Sequence, residues 1–230
     1  MTDRDASEAD LKAQSLTLLY ADPHLIAVDK PSGLLVHRGW GDDSVVAMTL
    51  ARDLIGRYVY PVHRLDRATS GVLLFALDQE TARGLQEAFS SREIEKRYLA
   101  LVRGVPPPLL EIVHPIPRSE DGPRVEASTT VRLLFSHDRY AWVEARPETG
   151  RLHQVRRHLK HVSHPIIGDV RYGKGEHNRH FRAVFGLHRL ALHASSVDLV
   201  HPHSGEPLHL EAPLPPDLLE PLRRWGLSAT

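Results

Sequence analysis

His63-Arg64-Leu65-Asp66-Arg67-Ala68-Thr69-Ser70-Gly71 runs directly into the apolar segment Val72-Leu73-Leu74-Phe75-Ala76-Leu77. The second segment is short, apolar and bounded by a glycine, the signature of a buried strand. Asp66 therefore stands on a loop that enters a core strand, flanked by the two cations Arg64 and Arg67. Neighbouring cations favour the ionised form of a carboxylate, and a fixed, ionised Asp can act as a nucleophile or a base. An isolated Arg-x-Asp is ordinarily a loop salt bridge of small value. What separates the two readings lies elsewhere in the chain.

Working outward from Asp66, the pattern is strand-rich. Leu16–Tyr20 and Leu25–Asp29 read as strands split by the turn Ala21-Asp22-Pro23-His24, and Lys30-Pro31-Ser32-Gly33 breaks the second of them. Asp43 or Ser44 is placed to cap a helix running to about Leu54, and Asp78 precedes a helical pattern from Gln79 to about Ser90. Lys96–Val102 is the next strand. Val105-Pro106-Pro107-Pro108 ends it, and a polar loop is expected to about Arg124. Ser128–Phe135 and Tyr140–Ala145 form a hairpin around Ser136-His137-Asp138-Arg139. Glu148-Thr149-Gly150 leads into a helix from His153 to about His161, and Leu190–Val200 is a further strand. Consecutive strands without intervening helices predict an α+β fold around a largely antiparallel sheet. Residues 1–14 are polar and aperiodic, read as a disordered acidic tail; with no internal repeat or linker, 15–230 are read as one domain.

Composition narrows the function classes. There is no cysteine, which excludes disulfides, thiolate metal sites and cysteine nucleophiles. No apolar run approaches a membrane span. The opening MTDRDASEADLKAQ is unlike a signal or transit peptide, so a cytoplasmic protein is expected. Formal net charge is zero, but its distribution is uneven. Between Arg151 and Arg189 nine Arg and Lys face only two acids, Asp169 and Glu176, a local excess of seven positive charges. Such a stretch is the footprint of a phosphate-backbone binder, set against the plain alternative of a solvated charged face.

Three constellations could carry chemistry. His158, His161 and His164 recur at every third residue, but no carboxylate ligand accompanies them and the surrounding arginines repel a dication. They are read as phosphate-facing or capping groups, and no metal or other cofactor is expected. Arg151, Gln154 and Arg156, near a helix start, offer forked or amide donors suited to a carboxylate, a phosphate or a base edge. Lys96-Arg97-Tyr98 places a tyrosine among basic residues, either packed in the core or forming a stacking platform for a base.

Six pieces stand in one order along the chain: Lys30-Pro31-Ser32-Gly33-Leu34; His63-Arg64-Leu65-Asp66 with Thr69-Ser70-Gly71; Lys96-Arg97-Tyr98; Thr149-Gly150-Arg151 with His153-Gln154 and Arg156; His164-Pro165-Ile166-Ile167-Gly168-Asp169 with Tyr172-Gly173; and Leu192-His193-Ala194. Each is weak alone. Together, over about Leu16 to Leu214, they resemble the RluA family of RNA pseudouridine synthases. Leu35-Val36-His37-Arg38 followed by Trp40, Arg67, the segment Leu159–Pro165, and Phe185-Gly186-Leu187 with Arg189-Leu190 are similar to a tRNA-modifying branch of that family. The stretch from Pro117 to Thr130 is shorter than that branch leads one to expect.

The resemblance implies the pseudouridine synthase fold, a mixed, largely antiparallel sheet with flanking helices and an active cleft across its middle. It implies isomerisation of uridine to pseudouridine in RNA, without cofactor or obligate protein partner. The target it points to is uridine 65 of tRNA, with large-subunit ribosomal RNA as the alternative. It makes Asp66 the essential carboxylate, attacking the ribose C1′ or removing the C2′ proton. Arg156 would pair with it, Tyr98 would stack on the target base, and Arg64 would fill the gap left by the flipped uridine. A non-catalytic RNA-binding protein on the same fold is the competing class, but binding alone does not call for Asp66.

Overall fold

The computed structural model describes residues 16–38, 45–118 and 122–227. The acidic tail, Trp40 and the expected caps Asp43 and Ser44 lie outside the described residues. The chain divides into two compact units, one comprising residues up to Ile94 with Ser196–Pro213, the other Glu95–Ser195 with residues from Leu214 onward.

In the first unit β1 (Thr17–Ala21), β2 (Leu25–Lys30) and β4 (Ser70–Ala76) are joined by antiparallel pairing, and the short β3 (Tyr60–Pro61) also pairs with β4. The β2–β4 register sets Leu25 opposite Ala76 and Lys30 opposite Gly71. Every residue of β4 is buried, which is why it reads as an unbroken apolar run rather than an alternating one. Val72, Leu74 and Ala76 share one face, as period two requires. They pack with Leu25 and Ala27, with Ala82 and Leu85, and with Val197, Leu199 and Leu210 in one core cluster. Helix α1 (Ala47–Ile55) starts at Val46, whose N–H donates to the Thr49 hydroxyl at 3.2 Å. Helix α2 (Gln79–Ser91) follows Asp78 as expected, and Asp78 caps it by accepting the Thr81 N–H at 2.8 Å.

The second unit is built on β5 (Glu95–Arg103), β6 (Leu109–Val113), β9 (Ser128–His137) and β10 (Tyr140–Pro147), with antiparallel pairs β5–β10, β10–β9 and β9–β6. A two-stranded ladder of β7 (Ile116–Pro117) and β8 (Arg124–Val125) stands beside them. Helices α3 (Gln154–His161), α4 (Gly175–Phe185) and α5 (Pro216–Trp225) complete the unit. Strand β11 (Leu192–Val200) contains the division between the units, and β12 (Pro207–Glu211) pairs with it antiparallel from Ser196 onward. The architecture is the strand-rich, largely antiparallel α+β fold expected.

Several elements depart from expectation. The polar loop expected up to Arg124 holds β6, β7 and β8. Three prolines argue for a loop, and only Ile112 of β6 is buried, so an exposed edge strand is masked. Helix α4 is polar, burying only His177 and Phe181. Helix α5 contains Pro221, a residue that ordinarily ends a helical reading.

Candidate active site

Asp66 lies on the loop between β3 and β4, half-buried, and its carbonyl accepts the Thr69 N–H at 3.1 Å in a tight turn. Leu65 beside it is buried and Arg64 is exposed. The loop is held from two directions. On one side the Leu74 N–H donates to His63 Nε2 at 3.0 Å, tying the loop to β4 and leaving the proton on Nδ1. The His63 ring stacks on Phe89 with centroids 4.7 Å apart.

On the other side stands Lys30, at 0% exposure. Its ammonium donates to the carbonyls of Pro31 (2.8 Å), Leu34 (2.8 Å) and Arg67 (3.2 Å). The Gly33 N–H also donates to the Arg67 carbonyl at 2.8 Å, and the Ser32 hydroxyl to that of Ala68 at 2.8 Å. Lys30-Pro31-Ser32-Gly33-Leu34 is thus a clamp on the residues that follow Asp66. From sequence, Lys30 reads as part of a strand break and of a family-like piece, with no role of its own. The available signal is a lone lysine closing an apolar strand, which needs partners if it is buried.

In the second unit, Tyr98 sits half-buried on β5, opposite Ala145 of β10. Lys96 is two residues away on the same strand face and is buried. Burial pulls its ammonium down from 10.5 to about 8. The folded chain therefore binds fewer protons here than the unfolded chain between those values. Burial destabilises most below pH 8, and stability is regained as pH rises toward 10.5. In urea unfolding, the wild type should gain stability relative to Lys96→Met between pH 8 and pH 10. A difference constant with pH would contradict this.

Gln154 opens α3 and is buried. Its Oε1 accepts from the Thr149 hydroxyl at 2.6 Å and the Arg151 N–H at 3.0 Å. Its Nε2 donates to the Ser128 carbonyl at 2.8 Å and the Thr129 hydroxyl at 3.1 Å. The amide is engaged on both sides by protein groups, so in this structure it shapes the turn rather than facing outward. Arg151 is exposed beside it.

Arg156 is buried and grips Asp169 through two parallel bonds, Nε to Oδ2 at 2.8 Å and Nη2 to Oδ1 at 3.0 Å. Burial works to raise the Asp169 pKa, but the bonds from Arg156, its charge and the N–H groups of Tyr172 and Arg171 outweigh it. The carboxyl sits below the ordinary range.

The three histidines part company, and the expectation that they cap or face phosphate fails at His158, which is fully buried. Its Nε2 meets the His114 carbonyl at 2.9 Å and must donate, so Nδ1 accepts from the Thr129 hydroxyl at 2.8 Å. Burial lowers its pKa, which keeps the ring neutral. His161 stacks on His114 at 3.6 Å, and His164 Nδ1 donates to the Arg103 carbonyl at 3.1 Å. They are bound to different partners. Among the described residues, His24, Asp78 and His203 bring one ligand atom each within 4.8 Å of one another. The Thr81 hydroxyl donates to Asp78 Oδ2 at 2.8 Å, so its oxygen can only accept from His203 Nε2, also at 2.8 Å. That nitrogen carries a proton rather than a lone pair, and the group works as an extended helix cap.

The family model described as RNA pseudouridylate synthase matches residues 24–161, which include the Asp66 loop, Tyr98 and Arg156. The chain belongs to this family, as an RluA-type enzyme. It is 44% identical to tRNA pseudouridine synthase C of Pectobacterium carotovorum subsp. carotovorum, a match covering 86% of this chain and 58% of that protein. It is 42% identical to tRNA pseudouridine synthase C of Salmonella typhimurium, covering 92% of this chain and 90% of that protein. The Vibrio cholerae protein of the same name is 42% identical over 86% of this chain and 91% of its own length. Among solved structures, human RNA Pseudouridylate Synthase Domain Containing 4 superposes with a TM-score of 0.77 at 29% identity, covering 98% of this chain and 97% of that one. Human RNA Pseudouridylate Synthase Domain Containing 1 gives 0.71 at 26% identity, covering 88% and 86%.

Proposed function

We propose that this protein isomerises uridine to pseudouridine in tRNA, at uridine 65. The observation that carries the reading is the match to tRNA pseudouridine synthase C along 92% of the chain, joined to an Asp66 loop fixed on both sides. The reaction breaks the bond from N1 to the ribose C1′ and forms one from C5 to the same carbon. The C5–H bond then breaks and N1 gains a proton, so substrate and product are isomers and no redox partner or carrier is called for.

In this reading Asp66 reacts at the ribose, by attack on C1′ or by removal of the C2′ proton. The clamp from Lys30 to Leu34 keeps the Asp66 turn in one place before RNA arrives, which is the preorganisation such a step needs. Tyr98 stacks on the uracil, and Arg156 supplies the cation that balances the carboxylate. Arg64, exposed on the same loop as Asp66, fills the gap in the RNA once the uridine has left its stack. Extrusion of a base costs a few kcal/mol, roughly, which contacts to the rest of the RNA offset. Residues 15–230 act as one catalytic domain, since the family match crosses the division between the compact units. Among the described residues no helix is long and apolar enough to cross a membrane. We place the protein in the cytoplasm, where tRNA is the substrate.

Arg151, Lys160, Lys174, Arg179 and Arg182 are exposed and present the positive stretch to RNA phosphates. Affinity for tRNA should therefore fall steeply with salt, with a log–log slope of roughly 0.7–0.9 per phosphate neutralised. Arg151→Ala should reduce that slope by about one such unit in a filter-binding titration. An unchanged slope would remove Arg151 from the phosphate contacts.

The reading is tested in the source organism by mapping pseudouridines in tRNA and ribosomal RNA with and without the gene. Loss of pseudouridine 65 from tRNA alone is expected. Loss confined to large-subunit ribosomal RNA would replace tRNA by that substrate.

A further inference from the structure

Arg156 is held by a loop that no functional role yet covers. Asp169 is 1% exposed, and its carboxylate is fixed from behind as well as by Arg156. Its Oδ1 accepts the N–H groups of Arg171 and Tyr172, both at 3.0 Å. The loop itself cannot shift easily. Gly168 has φ +81°, and a Cβ there would stand 1.9 Å from the Arg189 carbonyl oxygen. A Cβ on Gly173 would stand 2.3 Å from the Asp169 carbonyl oxygen. Asn178, from α4, accepts the Gly168 N–H at 2.8 Å and donates to the Asp169 carbonyl at 3.0 Å. The Tyr172 ring then lies 5.1 Å from the Arg156 guanidinium carbon, while its hydroxyl accepts from Arg157 Nε at 2.9 Å. The guanidinium is thus fixed at one edge by Asp169 and against the Tyr172 ring, on a loop braced by two glycines and an asparagine.

A buried ion pair is an inefficient stabilising device, because desolvation of both charges offsets most of their attraction. A bidentate fork does, however, fix the plane of a guanidinium, which a point charge cannot do. We propose that Asp169 is a positioning residue for the isomerisation, acting by setting the orientation of Arg156, with Tyr172 supporting the guanidinium. This rests on the reading of Arg156 as a site residue. Asp169→Asn keeps Oδ1 for the two backbone N–H groups and Arg156 Nη2, but removes the charge and turns an amide donor toward Arg156 Nε, so the loop keeps its backbone bonds while the two-bond fork is lost.

The test is a double-mutant cycle in single-turnover pseudouridine formation on saturating tRNA, with tRNA affinity measured alongside. Asp169→Asn should lower the rate by about 10²-fold, as misplacement of an orienting group does, with affinity little changed. Arg156→Lys keeps the charge and loses the fork. Adding Asp169→Asn to it should slow the reaction little further, because coupled residues do not add. Rate losses that multiply in the double variant would overturn the proposal, as would a folded Asp169→Asn protein with the wild-type rate. Should Asp169→Asn fail to fold, Tyr172→Leu takes its place in the cycle with Arg156→Lys. Losses that do not multiply then support the proposal, and losses that multiply overturn it. Wild-type protein that makes no pseudouridine in any RNA would instead overturn the functional reading beneath it.

Discussion

Asp66→Asn will leave a folded protein that binds tRNA and forms no measurable pseudouridine, with turnover lower by at least about a thousandfold. The substitution is nearly isosteric, and the bond from the Thr69 N–H to the Asp66 carbonyl is untouched by a side-chain change. The loop remains fastened by His63 on one side and by the Lys30 clamp on the other. What disappears is the carboxylate charge, without which there is neither a nucleophile for C1′ nor a base for the C2′ proton. The measurement is pseudouridine formation by the purified variant, with circular dichroism and tRNA binding as controls. Turnover within tenfold of the wild type would remove Asp66 from its role.

The second large effect is on stability. Lys30→Met keeps most of the side-chain length but takes the ammonium from three carbonyls, those of Pro31, Leu34 and Arg67, of which the last keeps the Gly33 N–H. A buried acceptor deprived of its partner costs about 1–3 kcal/mol, so a loss of about 3 kcal/mol is expected. For a chain of this size that lowers the melting temperature by roughly 6–12 °C. Because the Arg67 and Ala68 carbonyls tie this segment to the Asp66 turn, activity should fall by more than the unfolded fraction accounts for. Calorimetry and single-turnover assays below the melting temperature separate the two effects. A variant as stable as the wild type would show that the clamp holds nothing in place.

What the sequence revealed follows from the range of the interactions involved. Strand β4 and the Asp66 loop were legible because a glycine, an apolar run and a charged triplet are local signals. The start of α2 after Asp78 was legible for the same reason. Strand β6 was not, because an edge strand with exposed Leu109 and Val113 has no alternating pattern and follows three prolines. Helix α4 buries only His177 and Phe181, so no apolar stripe announces it, while the stripe of α5, Leu218, Leu222 and Trp225, is interrupted by Pro221. At the candidate site, residue type pointed to Gln154 and His158 as outward-facing groups. Whether an amide or an imidazole meets a ligand or a neighbour depends on contacts such as those with Thr129, more than twenty residues away. The partnership of Arg156 with Asp169 likewise joins α3 to a loop beyond its end, and no spacing rule foretells it.

The central claim is uridine isomerisation in tRNA. Its most direct test is to incubate the purified protein, separately, with unmodified tRNA transcript and with large-subunit ribosomal RNA fragments, and to map pseudouridine at single-nucleotide resolution. The account predicts pseudouridine at position 65 of the tRNA and none in the ribosomal fragments. Pseudouridine in the ribosomal fragments alone, or in neither RNA, would contradict it.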